Sequence, residues 1–127
     1  MRVLIADDSR VMRKLILKSL KENGFSIEDC VEAENGEDAW SKIQAAPFDL
    51  AILDIHMPRL NGEALLTRVR AEPSHRDLPI VIVSSESSAA RLESLLDQRA
   101  GFIHKPWTDE DFHTQVQRAL APRRDRR

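Results

Sequence analysis

The stretch Leu50-Ala51-Ile52-Leu53-Asp54-Ile55-His56-Met57-Pro58 decides the fold. Consecutive apolar residues without polar alternation read as a strand buried on both faces, the pattern of a central strand in a parallel sheet. The run meets one carboxylate and then a proline, which cannot donate to a ladder. Asp54 therefore stands where a buried strand ends. In open α/β sheets, ligands bind beyond the carboxyl ends of the strands, so an acid placed there is a candidate nucleophile. A strand-end Asp also caps the loop that follows it, and this stretch alone leaves both roles open.

The same grammar recurs on either side. Upstream, Arg2-Val3-Leu4-Ile5-Ala6 runs into Asp7-Asp8; downstream, Ile80-Val81-Ile82-Val83 ends in Ser84-Ser85-Glu86, and Gly101-Phe102-Ile103-His104 is closed by Lys105-Pro106. Residues 26–33 read as a further strand, less apolar and so nearer the sheet edge. Helical periodicity fills the intervals. Ser9 caps a segment in which Met12, Leu15, Ile16 and Leu20 share an inward stripe, and Asn23-Gly24 ends it. Val11 at the stripe's edge and Leu17 off it leave one or both exposed. Trp40 and Ile43 form the buried face of a helix over 37–45, and Leu65, Leu66 and Val69 that of one ending before Glu72-Pro73. Ala90, Leu92, Leu95 and Leu96 support a helix over 87–98, the weakest of the set because of its serines. Thr108-Asp109-Glu110-Asp111 has a capping-box pattern ahead of Phe112, Val116 and Leu120. Five strands alternating with five helices, without repeat or internal linker, predict one doubly wound parallel α/β sheet over residues 1–121.

Composition narrows the class. A chain of 127 residues suits a single domain that needs no covalent staple. Its one cysteine, Cys30, lies in a strand-like run and reads as a small buried hydrophobe in a reducing compartment. The first apolar run is too short for a signal or membrane segment, so no membrane role and a cytoplasmic location are expected. The formal net charge is -2, but Arg123, Arg124, Arg126 and Arg127 sit together in a basic tail over 122–127, which leaves the rest more acidic than that total. Such a body is not expected to bind nucleic acid. The tail reads as a solubilising terminus or the start of a linker.

Right-handed crossovers bring every strand's carboxyl end to one edge, so Asp7, Asp8, Asp54, Ser84 and Lys105 converge there despite their separation in sequence. Clustered carboxylates repel, and a cation must compensate them. Hard oxygen donors without histidine or thiolate spacing favour Mg²⁺. The lysine adds a second positive charge and the serine a hydroxyl, so the set can surround a phosphoryl group next to Asp54. No general base is visible and none is required, because a carboxylate is already ionised and phosphoryl transfer depends on positioning and charge neutralisation.

With Asp7-Asp8-Ser9, Asp54-Ile55-His56-Met57-Pro58, Gly62, Ser84-Ser85 and Lys105-Pro106 in place, the chain resembles the receiver domains of bacterial two-component response regulators over residues 2–121. In length it is similar to their single-domain chemotaxis type. The resemblance implies a flavodoxin-like fold with strand order 2-1-3-4-5. It implies Mg²⁺ held by Asp8, Asp54 and the His56 backbone carbonyl, with Asp7 acting mainly through water. Asp54 is then the phosphoacceptor for a histidine kinase or histidine phosphotransfer protein, assisted by Lys105 and Ser84. Ser84 and Phe102 match the family's switch positions, through which phosphorylation alters the face of the fourth helix, fifth strand and fifth helix. That face would meet a downstream protein target or a second copy of the chain, or the phosphoryl group would pass onward. The first helix, with Ser9, Val11, Met12 and Leu15, resembles the family's kinase-docking region.

The chain departs from the family in places. Gln98-Arg99 replaces a common Gly-Ala pair, Phe102 replaces the commoner tyrosine, and His56 and Glu86 occupy variable positions beside the site. The expected role is a signalling module rather than a turnover enzyme, with no output domain within these residues. A Mg²⁺-dependent phosphohydrolase with an aspartyl phosphate is the enzymatic rival, but it usually carries a second acid two residues after the nucleophile, where this chain has His56. A receiver-like domain that never takes phosphate is the third reading, and the intact acids, Ser84 and Lys105 argue against it.

Overall fold

The computed structural model describes residues 1–85 and 88–121. The elements run β1 (Arg2–Ala6), α1 (Arg10–Glu22), β2 (Asp29–Ala33), α2 (Gly36–Ala45), β3 (Leu50–Asp54), α3 (Gly62–Ala71), β4 (Ile80–Ser84), α4 (Ala89–Asp97), β5 (Gly101–His104) and α5 (Asp109–Leu120). All five strands are parallel, in the order β2-β1-β3-β4-β5. The expected flavodoxin-like topology is therefore present, with β3 central. Every residue of β3 and β4 is buried, as two-sided apolar runs require.

Alternation along the strands divides the core in two. Leu4, Ala51, Leu53, Ile80 and Ile82 face α2, α3 and α4, where they meet Ile43, Leu65, Leu66, Val69 and Leu95. Val3, Ile5, Leu50, Ile52, Val81 and Val83 face α1 and α5, where they meet Ile16, Leu20, Phe112 and Val116. Each helix opens on a side-chain cap: Ser9, Asn35, Asn61, Ser88 and Thr108 each accept from the backbone N–H three residues on.

Several expectations are corrected. β2 begins at Asp29, not at residue 26: Arg2 at the start of β1 pairs with Asp29, and the residues before Asp29 meet the chain's first residue instead, the Glu28 amide donating to the Met1 carbonyl at 3.0 Å and the Met1 ammonium to the Ser26 carbonyl at 2.8 Å. Leu15 is 44% exposed, while the helix meets the sheet through Ile16, Ser19 and Leu20. Of Val11 and Leu17, at least one of which is expected to be exposed, Val11 is, while Leu17 packs partly against that core. Trp40 is half-buried, with Ala39 taking the inner place beside Ile43. Cys30 is half-buried too, as the edge position of β2 dictates. In α4 only Leu95 is fully buried, and Leu96 is 65% exposed. Glu86, Ser87 and the basic tail lie outside the described residues. Among the described residues no helix is long and apolar enough to cross a membrane.

Candidate functional site

The site is built on the carboxyl ends of β1, β3, β4 and β5. Past β1, the Asp7 amide continues the ladder by donating to the Ala33 carbonyl at 3.0 Å. The Asp7 side chain then turns back, accepting from the Ser9 amide at 2.8 Å through Oδ1, and Ser9 in turn caps α1 by accepting from the Met12 amide. The chain thus closes a tight acidic turn directly onto a helix start. From the first turn of α1, Arg13 reaches back: its Nη1 donates to the Asp7 carbonyl and its Nε to Glu32 on β2, both at 2.7 Å.

Asp54 is the last residue of β3 and is buried. Behind it Gly62 starts α3, its amide donating to the Ile55 carbonyl at 2.8 Å. A Cβ at position 62 would overlap the Asp54 carbonyl, so only glycine lets the helix begin this close to the strand end. Asp7, Asp8 and Asp54 each present a carboxylate oxygen within 4.8 Å of the others, Asp8 from an exposed position and its partners from buried ones. Lys105 follows β5, and its amide donates to the Ser84 carbonyl at 2.9 Å. Its ammonium lies 3.5 Å from Asp54 Oδ1 and 3.7 Å from Asp7 Oδ2.

Burial pushes the Asp7 carboxyl above the ordinary value, the Ser9 amide pulls it down, and the Asp54 charge pushes it up again. Its Oδ2 is buried without a hydrogen-bond donor. One lysine therefore under-compensates three clustered acids, and the remaining demand is for a cation. An all-oxygen donor set of this kind fits a hard divalent ion such as Mg²⁺.

Ser84 ends β4, buried, one residue beyond Val83, which pairs with Asp54 across the ladder. Phe102 lies opposite Ile82 on β5, half-buried against the core on the α2, α3 and α4 side. His56 is exposed in the loop after β3. The sequence reading did not single out Arg13, whose charge reads as part of the polar side of an amphipathic helix. Its place one turn beyond the Ser9 cap is the sole signal, and only the fold shows that this turn returns to Asp7.

Residues 3–117 match the response regulator receiver domain family. The chemotaxis protein CheY1 of Helicobacter pylori is 37% identical over 124 residues, spanning 94% of this chain and 97% of that protein. The CheY homologue of Campylobacter jejuni is 34% identical, spanning 94% and 92%. Among solved structures, Vibrio cholerae CheY4 superposes with a TM-score of 0.78 at 30% identity over 94% of this chain and 98% of that one. A CheX-CheY complex with BeF3 and Mg²⁺ from Borrelia burgdorferi contains a chain that superposes with a TM-score of 0.83 at 26% identity, over 96% and 90%. With the strand order, the acidic edge and these relatives in agreement, the chain belongs to the response regulator receiver domain family, in its CheY-like, single-domain size class.

Proposed function

We propose that residues 1–121 form a phosphorylation-switched receiver module in which Asp54 takes a phosphoryl group from a histidine kinase or histidine phosphotransfer protein. The observation that carries this reading is the pairing of Asp54 Oδ1 with the Lys105 ammonium at 3.5 Å inside a cluster of three carboxylates. An Asp54 oxygen attacks the phosphorus of the donor phosphohistidine; the new O–P bond forms as the P–N bond breaks, and the imidazole leaves with the electron pair. Lys105 and the Ser84 hydroxyl hold the transferred oxygens. Asp8, Asp54 and the His56 backbone carbonyl would hold Mg²⁺, with Asp7 acting through water, and the ion supplies positive charge to the phosphoryl oxygens as they transfer.

The switch reading follows from the same edge. A phosphoryl group on Asp54 draws the Ser84 hydroxyl toward it, Phe102 turns inward, and the face of α4, β5 and α5 changes for a protein target or a second copy. Onward relay of the phosphoryl group is the other use of the same chemistry. The donor's docking surface is the groove of about 450 Å³ between α1 and the segment after β5, where Met12, Leu15, Pro106 and Trp107 give apolar anchors beside Lys105. A reducing cytoplasm suits a kinase-linked module with a free cysteine.

The test is incubation with Mg²⁺ and acetyl phosphate, read by intact mass. One phosphoryl group per chain is expected, dependent on Mg²⁺ and absent in Asp54→Asn. A wild-type chain that gains no mass would overturn the reading, and sustained turnover of unrelated phosphate esters would replace it with a hydrolase.

A further inference from the structure

Arg13 carries chemistry that its place on a helix does not announce. Its side chain is only 13% exposed, and its bonds to Glu32 and to the Asp7 carbonyl are short and charge-assisted. One end holds Glu32 on the edge strand and the other the carbonyl of Asp7. That carbonyl belongs to the peptide joining Asp7 to Asp8. A peptide is planar, so fixing its oxygen fixes its plane and hence the direction in which the chain delivers the next Cα. Asp7 is independently held by its own amide on Ala33 and by the Ser9 amide on Oδ1. Asp8 is exposed, and the Arg13 bond is what orients the peptide leading to it.

We infer that Arg13 is a positioning residue of the acidic site: by clamping the Asp7–Asp8 peptide against β2, it sets how the two carboxylates meet a divalent cation before any cation is present. The inference rests on the proposed Mg²⁺ role of Asp8 and Asp54. Glu32 is the far anchor of the clamp, and its backbone carbonyl is itself held by the Lys42 ammonium at 2.6 Å, which ties α2 to the same strand. A lysine at position 13 is a single point charge in place of a planar fork and can serve one acceptor well but not both.

The test uses the full chain and Mg²⁺ alone, titrated by calorimetry, together with the Mg²⁺ dependence of phosphorylation by acetyl phosphate read by intact mass. Arg13→Met should weaken Mg²⁺ binding about tenfold and raise the half-saturating Mg²⁺ by a similar factor, while the rate at saturating Mg²⁺ stays within about twofold. Arg13→Lys should fall between, and Glu32→Gln, which leaves the arginine in place, should weaken binding about threefold. A merely structural role would lower the melting temperature without separating half-saturation from the limiting rate. If Arg13→Met does not fold, Arg13→Lys and Glu32→Gln decide. Normal Mg²⁺ affinity in folded variants beside a responsive wild type overturns this inference alone. A wild type that takes neither Mg²⁺ nor phosphoryl overturns the proposed function and this inference with it.

Discussion

The turn after β1 and the helix after β4 flank Asp54 from its two neighbouring strands, and they are held by different means. On the β1 side, Asp7 is fixed through amide, carbonyl and carboxylate, and α1 anchors on Ile16 and Leu20, both fully buried. On the β4 side, α4 spans nine residues with Leu95 its single buried one. Leu92 adds a partly buried apolar contact, and the other ties are polar. Ser94 donates to Glu63 Oε2 at 2.9 Å, Arg91 pairs with Glu63 at 3.5 Å, and Arg70 on α3 donates to the Gln98 carbonyl at 2.8 Å. Moving a buried leucine opens a cavity, whereas a part-exposed hydrogen bond exchanges with water at little net cost. The difference teaches where a charge can be received without distortion and where the structure can yield to it.

Three substitutions press on this contrast. Gly62→Ala drives a Cβ into the Asp54 carbonyl at the abutment shared by both sides, and backbone cannot give way as a side-chain tip can. A loss of about 3 kcal/mol in urea unfolding is expected; a loss below about 1 kcal/mol would mean that the start of α3 is soft. Asp7→Asn acts in the opposite direction. Asp7's folded pKa is raised above its ordinary 3.8, so the folded state holds this proton more tightly than the unfolded chain does. Between those two values stability falls as pH rises, and above the folded pKa the ionised group costs stability. The metal-free Asn variant should therefore be more stable at neutral pH by about 1 kcal/mol, or about 4 °C in Tm, and the difference from wild type should vanish below pH 3.8. An Asn variant that melts below wild type in EDTA would show that the charge is already compensated.

The smallest effect belongs to α4. Ser94→Ala removes one hydrogen bond to Glu63 and should lower global stability by no more than about 1 kcal/mol. Amide exchange should nevertheless quicken across α4 and remain unchanged in α1. Equal acceleration in both helices would erase the contrast.

The sheet was legible because its apolar runs stop at polar residues, and that signal is local. The convergence of Asp7, Asp8, Asp54 and Lys105 followed from the handedness of the crossovers, which needs no side-chain detail. What escaped depends on neighbours distant in sequence. Residues 26–28 look strand-like, but β1 offers them no partner. Leu15 fits the periodicity of an inward stripe, yet the turn that touches the sheet is centred on Ile16 and Leu20. Arg13 is indistinguishable in sequence from its solvated neighbour Lys14, and its target is a main-chain carbonyl, which has no residue signature. The Gln98-Arg99 departure is accommodated by Arg99 at a φ of 64° and by Arg70, which gathers the Gln98, Arg76 and Leu78 carbonyls.

Cys30 bears on how such motions can be watched. Burial, together with Glu32 and Asp29, pushes its thiol above the ordinary range, and alkylating probes react with the thiolate. Half-buried and with a raised pKa, the native cysteine is expected to react more slowly than a fully exposed thiol. A cysteine introduced by Leu96→Cys, at a position 65% exposed on α4, is expected to take a maleimide dye first. The difference in thiol reactivity therefore favours labelling on the yielding side of the sheet over the native position.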